Sequence, residues 1–301
     1  MRIVVTGGAG FIGGHVAEKL VAAGHEVTIY DKMFPKFRLP DRCEFVQGDV
    51  LDKAAMMIAM TGKDVLIHAA AMSNTMHCVK FPDRAVELNC LGTVAALEVA
   101  QKVGVKRVMV AGSSLISGLL PNGDMCEIVD VGKSYHLYVT TKLFQEMVVR
   151  DFQRMYGLPY TVLRYGICYG PRMTHGVVAD IFIKKALAGE ALPVEGGGQQ
   201  WRQYLYVEDL AEAHVLALSD VAENQTYNVV PDEKVTIMDM AKAIQKVLPA
   251  TKIVETPPRS HDIEVKMMSA EKLKRDLGWS AKVSLEEGIK KTVAWYRRLD
   301  A

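Results

Sequence analysis

The sequence lacks a long hydrophobic run, an excess of either charge, and any cluster of metal-ligating side chains. No apolar stretch approaches the roughly 18 residues needed to span a bilayer, and the one near the start is too short for a secretory signal. No membrane partner is therefore expected. Lys+Arg 36 against Asp+Glu 35 leave a net charge of +1 with no basic block, so nucleic acid is not expected as a partner either. The cysteines, at positions 43, 78, 90, 126 and 168, are odd in number and scattered, with no C-x-x-C. That usage suits reduced thiols in a cytoplasmic protein. The eight histidines form no H-x-x-x-H and no Cys/His cluster, so no metal site is expected.

What is present is a chain of 301 residues, 50% hydrophobic and 24% charged, enough to bury a substantial core. Short apolar runs at 2–6, 26–30, 44–47, 65–68, 107–111 and 160–165 read as strands. Several are apolar on both sides of the pleat, as in a parallel sheet covered by helices on both faces. Segments 11–23, 53–60, 85–102 and 138–155 between them carry helical periodicity. This alternation predicts an α/β fold with a doubly wound, Rossmann-type parallel sheet. After Gly170-Pro171 the loops lengthen, and helices are expected at 209–218, 236–247 and 284–297. The chain thus divides into a nucleotide-binding domain over 1–168 and a smaller substrate-binding lobe over 169–301, some of whose segments return to the first domain.

The first strand runs straight into Gly7-Gly8-Ala9-Gly10-Phe11-Ile12-Gly13 and then a helix. Glycines there permit a tight turn, let the backbone approach a pyrophosphate and let helix pack on strand. The helix N-terminus offers free N–H groups to phosphate. The second strand leads to Asp31, eighteen residues past Gly13. A carboxylate there accepts from both ribose hydroxyls and repels a 2′-phosphate. Lys32 weakens that exclusion slightly, yet NAD is expected over NADP.

With Thr6 preceding it, this segment resembles the opening motif of the extended short-chain dehydrogenases/reductases, the NAD-dependent epimerase/dehydratase family. Gly48-Asp49-Val50, His68-Ala69-Ala70-Ala71 and Asn89-Cys90-Leu91-Gly92-Thr93 match further family segments in order, and the likeness continues to Leu277-Gly278-Trp279. The resemblance implies cofactor contacts from Gly7, Gly10, Phe11, Ile12, Gly13, Asp31, Lys32, Asp49, Val50, Ala69, Ala70, Ala71 and Tyr165, with Asn89 in a supporting place among them.

Tyr138-Val139-Thr140-Thr141-Lys142 sets a phenol and an ammonium one helical turn apart on one face. A free phenol titrates near 10. An ammonium about 6 Å away, at an effective dielectric of about 20, favours phenolate by roughly 2.8 kcal/mol, or ~2 pK units. Tyr138 is thus expected to take the proton of a substrate hydroxyl while that carbon is oxidised. By resemblance, Lys142 also holds the nicotinamide ribose. Ser113, at the end of the strand over 107–111, matches the family's active-site Ser/Thr, and Ser114 follows it as a turn residue near the substrate. Leu115 stands where dehydratases of the family carry an acid that assists loss of a C6 hydroxyl, which disfavours dehydration.

Arg202 and Arg259 align with arginines that grip a substrate diphosphate in sugar-nucleotide epimerases, a task suited to the paired donors of guanidinium. Two departures stand out. Ile167 replaces a common Asn, and Ser117 replaces a common Tyr. Trp201, residues 72–76 and His175 are further candidates for the pocket, with plain packing or surface placement as the alternative. The leading expectation is an NAD-dependent nucleotide-sugar epimerase working through a transient 4-keto sugar. A dehydrogenase or reductase of a nucleotide sugar or another hydroxyl/carbonyl compound is the alternative that Ile167 raises, and a non-catalytic dinucleotide sensor is a third. Apolar residues on 85–102 and 138–155, beyond those facing the sheet, match the family's dimer bundle, so a homodimer is expected.

Overall fold

The computed structural model describes residues 1–119, 136–173, 176–258 and 265–299. Seven parallel strands form the central sheet: β1 (Arg2–Thr6), β2 (Glu26–Asp31), β3 (Cys43–Gln47), β4 (Val65–His68), β5 (Arg107–Ser113), β6 (Tyr160–Tyr165) and β11 (Gln225–Val229). Their order across the sheet is β11-β6-β5-β4-β1-β2-β3. It reverses direction between β1 and β4, and ligands of open α/β sheets bind at such a reversal, beyond the C-terminal strand ends.

The alternation of side chains along β1 explains the layering. Ile3 and Val5 join Val16 and Leu20 of helix α1 (Phe11–Ala22) in one apolar core. Val4, pointing the other way, joins Met56 of α2 (Lys53–Met60) and Ala96 and Val99 of α5 (Gly92–Lys102) in a second. Because both faces are covered, the strand reads as apolar throughout. The first core also holds Leu210 and Ala213 of α8 (Val207–Leu216).

The helix expected over 85–102 is interrupted. Helices α3 (Thr75–Lys80) and α4 (Pro82–Val86) precede a π-helical turn at Glu87–Leu91, and only then does α5 begin. A π turn adds one residue to the helical count, a local change that apolar periodicity does not reveal. Here it turns Asn89 fully inward.

Beyond Tyr165 the described residues make three two-stranded sheets. These pair β7 (Ile167–Tyr169) with β10 (Tyr204–Tyr206), β9 (Trp201–Arg202) with β12 (Val235–Thr236), and β8 (Leu192–Glu195) with β13 (Ile253–Thr256). Around them lie α7 (Val178–Leu187), α9 (Ile237–Val247), α10 (Glu271–Leu277) and α11 (Leu285–Leu299). Helix α9 starts where the sequence places it, because Thr236 and Asp239 form a reciprocal capping box. Two buried side chains join these parts. The Gln203 amide bonds the backbone of Pro231 and Met268, and the Ser117 hydroxyl accepts from the Lys266 N–H at 3.1 Å. The residue that departs from the family pattern at 117 is therefore a tether between segments. Among the described residues no helix is long and apolar enough to cross a membrane.

Candidate active site

The turn after β1 is glycine by necessity. Gly7 has a φ of +73°, and a Cβ on it would lie 2.7 Å from the Ala70 nitrogen. A Cβ on Gly13 would lie 2.3 Å from the Gly7 carbonyl oxygen. Helix α1 opens with Gly10 at its N-cap and no side-chain cap, so its first N–H groups are left to whatever the turn binds. Asp31, closing β2, accepts from the Ala9 N–H at 3.1 Å and the Met33 N–H at 3.0 Å. Its carboxylate is thereby fixed at the edge of a cleft that starts at the glycine turn.

That cleft continues past Asp49, Val50 and Ala69–Ala71 to Tyr138, Lys142 and Tyr165. Helix α6 (Leu137–Tyr156) carries the phenol and the ammonium, and its first turn is capped by His136, whose Nδ1 accepts from the Tyr138 N–H at 3.2 Å. Ser113, the last residue of β5, hydrogen-bonds the Tyr138 side chain. Lys142 donates to the Ala111 carbonyl at 2.8 Å and to Gln145 Oε1 at 2.9 Å, and its Nζ lies 5.9 Å from the centroid of the Tyr138 ring.

The electrostatics correct one expectation. Burial pushes the Tyr138 phenol up to about 12, and the hydrogen bond from Ser113 only partly opposes this. Desolvation brings Lys142 down to about 8, against the pull of the Glu146 carboxylate. The ammonium does not hold the phenol below its ordinary value, because in so dry a site the loss of water outweighs a charge at this distance. Tyr165 is also pushed well up by burial, and its hydroxyl sits 2.8 Å from His214 Nε2. His214 Nδ1 faces the Leu210 carbonyl at 3.0 Å. That carbonyl needs a proton on Nδ1, so the Tyr165 hydroxyl is the donor to Nε2.

The sequence model of the NAD dependent epimerase/dehydratase family matches residues 3–230. The chain belongs to that family. A UDP-glucose 4-epimerase of Thermotoga maritima, solved with UDP-glucose, is 32% identical, superposes with a TM-score of 0.91 and is covered over 100% of both chains. The UDP-glucose 4-epimerase of Thermus thermophilus, solved with NAD, is 33% identical, with a TM-score of 0.89 and 99% of each chain covered. A UDP-N-acetyl-alpha-D-glucosaminuronate decarboxylase of Bacillus cytotoxicus is 31% identical over 99% of this chain and 98% of its own. Relatives of similar identity include dehydratases. The cofactor of the family is NAD, and the cradle here fits it. The glycine turn has no room for a Cβ, a fixed carboxylate stands at the end of β2, and a phenol and an ammonium lie at the far end of the same cleft.

In this epimerase/dehydratase chain, all but one of the expected cofactor residues line the cleft, including Gly7, Gly10, Phe11, Ile12, Gly13, Asp31 and Lys32. Asn89 does not. Its amide is buried behind the wall, bonded to both backbone groups of Met72 and to Thr141 Oγ1, so it shapes the wall from behind. Ser114 begins a 3₁₀ turn and, like Ser113, is not part of the cleft wall. Arg202 lies in β9, half-buried, with Nη1 donating to the Trp201 carbonyl at 2.7 Å, apart from the cleft wall. Trp201 is half-buried with Lys234 Nζ over its ring, and Met76 is exposed. Ile167 packs between two apolar cores. Arg259, His175 and Cys126 lie outside the described residues. Sequence reasoning missed Tyr30, Leu88, Ala111 and Gly112 on the cleft wall, whereas Ser73 belongs to the expected 72–76 segment. Of these only Tyr30, next to Asp31, carried a signal: its hydroxyl donates to the Asp49 carbonyl at 2.9 Å and joins two expected cofactor segments.

Proposed function

We propose that this chain is an NAD-dependent nucleotide-sugar epimerase acting at C4, with residues 169–301, β11 excepted, supplying the sugar-nucleotide side of the cleft. The observation that carries the reading is the buried pair of Tyr138 and Lys142, joined by one cleft to the glycine turn, with Ser113, outside the cleft wall, hydrogen-bonded to Tyr138. Tyr138 takes the proton from the C4 hydroxyl and later returns it. Ser113, already bonded to Tyr138, holds the same sugar oxygen. Lys142 holds the nicotinamide ribose. NAD held in this cleft would supply reversible hydride acceptance for C4, and its positive charge would favour ionisation of the phenol that burial alone leaves near 12.

Leu115 supports epimerisation over dehydration. It is buried in one apolar cluster with Ile116, Tyr138 and Val139, and an aliphatic side chain at the family's acid position has no proton for a leaving hydroxyl. Arg202 and Arg259 are assigned to the substrate diphosphate, which requires Arg202 Nη1 to exchange the Trp201 carbonyl for phosphate oxygens.

The same reading includes a homodimer. On α6, Phe144, Met147 and Met155 are exposed, and so are Phe81, Val86 and Leu91 in the segment packed beside it. A pair of helices per subunit with such a face suits a four-helix interface. Sedimentation equilibrium is expected to give twice the chain mass, and Leu91→Glu with Met147→Glu to give the monomer. A monomeric native protein contradicts this part.

The activity is tested by incubating the protein and NAD with UDP-, dTDP-, GDP- and ADP-hexoses, reading products by NMR and absorbance at 340 nm. The expected result is a 4-epimer with flat absorbance. Steady NADH change identifies a dehydrogenase instead, loss of water identifies the dehydratase chemistry of relatives, and loss of carbon dioxide from a nucleotide hexuronate added to the panel identifies their decarboxylase chemistry.

A further inference from the structure

Behind the cleft, five buried side chains from four elements, β1, β4, α5 and α6, form one hydrogen-bonded chain. Thr6 Oγ1 lies 2.8 Å from His68 Nδ1, and His68 Nε2 lies 3.1 Å from Thr93 Oγ1. Gln145 Nε2 donates to Thr93 Oγ1 at 2.6 Å, and Lys142 Nζ donates to Gln145 Oε1 at 2.9 Å. Proton bookkeeping fixes the direction of every link. The Thr93 hydroxyl donates to the Asn89 carbonyl at 2.6 Å, so its oxygen accepts from both other neighbours. His68 therefore carries its proton on Nε2 and accepts from Thr6 at Nδ1. The Gln145 amide must then turn its NH₂ to Thr93 and its oxygen to Lys142; the flipped amide would set NH₂ against NH₃⁺.

The Lys142 ammonium has three N–H donors. One goes to the Ala111 carbonyl and one to Gln145, which leaves one for the cleft that Lys142 lines. Gln145 itself is 1% exposed and is not part of the cleft wall, so it acts only through its neighbours. We propose that Gln145 is a positioning residue that aims the single remaining Lys142 N–H into the cofactor cleft and ties that ammonium, through Thr93 and His68, to Thr6 at the mouth of the glycine turn. The proposal rests on the reading of Lys142 as a cofactor contact.

The other groups facing Lys142 are Tyr138 and Glu146 on α6, Cys78 on α3 and His68 on β4. Glu146 is held by the Arg164 guanidinium through two bonds, and burial keeps His68 neutral down to about 3. Gln145 is thus the neutral acceptor on the ammonium whose replacement changes the lysine without adding or removing a charge.

The test follows the Lys142 Cε/Nζ signals in isotopically labelled, full-length, cofactor-free protein, assigned by their loss in Lys142→Met. In the native protein the ammonium, lowered by burial, is expected to titrate near 8. Gln145→Met removes an acceptor of the charged form and is expected to lower that titration by about one pH unit, and Gln145→Glu to raise it by about one or more. Calorimetry is expected to show NAD binding weakened about tenfold in Gln145→Met and less in Gln145→Glu. Identical titrations in all three proteins, or shifts of the same sign in both variants, overturn the proposal. So does unchanged NAD affinity when the titration has moved. If Lys142→Met binds NAD as tightly as the native protein, the cofactor role of Lys142 fails while the titrations still judge Gln145 as its anchor. Should Gln145→Met not fold, the native Gln145 side-chain amide decides together with Gln145→Glu. Its protons are expected to exchange with solvent at least about a hundredfold more slowly than a free glutamine amide, and free exchange overturns the proposal.

Discussion

At the scale of single residues, the site depends on water being kept from groups that ordinarily need it. Tyr138 is 8% exposed and Lys142 3%, and both are pushed toward their neutral forms. A phenol held near 12 is an idle base at neutral pH, so turnover requires that its ionisation be favoured only in the loaded site. Tyr138→Phe keeps the ring and removes the proton carrier. It is expected to lower turnover by about 10²–10⁴-fold while NAD affinity, measured by calorimetry, stays within a few-fold of native; full activity in this variant contradicts the assignment. Tyr138, Lys142 and the glycine turn were legible in the sequence because each is a local pattern, with partners a few residues apart. Gln145 was not. Its partner Thr93 lies 52 positions away, and nothing in helical spacing separates a buried glutamine that anchors a lysine from one facing solvent. The depressed acidity of the phenol was equally invisible, because it arises from burial that only the assembled fold creates.

At the scale of elements, sheet and helices were legible where period and punctuation agree. Strands β1, β4 and β6 fall at the expected residues because their apolar runs are bounded sharply. Helix α9 does so because Thr236 and Asp239 cap it. The short helices α3 and α10 were missed, since six or seven residues do not complete two turns of apolar pattern. Helix α7 has no side-chain cap to announce it. Edge strand β11 was missed as a strand because it comes late in the chain, among segments read as loops, and joins the sheet only by pairing with β6. Element packing also yields a prediction. The start of α1 is packed so tightly on the turn that a Cβ at Gly13 would meet Gly7 oxygen at 2.3 Å, and backbone cannot yield as a side-chain tip can. Gly13→Ala is therefore expected to cost about 1–3 kcal/mol of stability and to weaken NAD binding, read as a lower denaturant midpoint and a higher Kd. Native values for both contradict the close-packed turn.

At the scale of the whole molecule, three buried histidines among the described residues make the fold acid-sensitive. Burial lowers His15 to about 4, His68 to about 3 and His214 to about 4, from an ordinary value near 6.5. In each case the unfolded chain takes up the proton first as pH falls. Their contribution is thus fully present above about pH 6.5 and is lost progressively down to pH 4 and below. Each is worth up to about 3 kcal/mol over that window. Thermal unfolding followed from pH 7 to pH 4 is expected to show a steep fall with uptake of up to three protons, and a flat profile contradicts buried neutral imidazoles. The division of labour is likewise a whole-molecule property. The parallel sheet sets the glycine turn, Asp31 and Tyr138 around one cleft, and segments after Tyr165 are tied back to the first domain by bonds such as Lys266 N–H to Ser117 Oγ. The central claim, that one carbon is oxidised and restored within a single site, is tested most directly with a nucleotide hexose carrying deuterium at C4. The expected product is a 4-epimer that keeps its deuterium at C4, with none released to water. Washout of the label, or a product altered anywhere but C4, would contradict it.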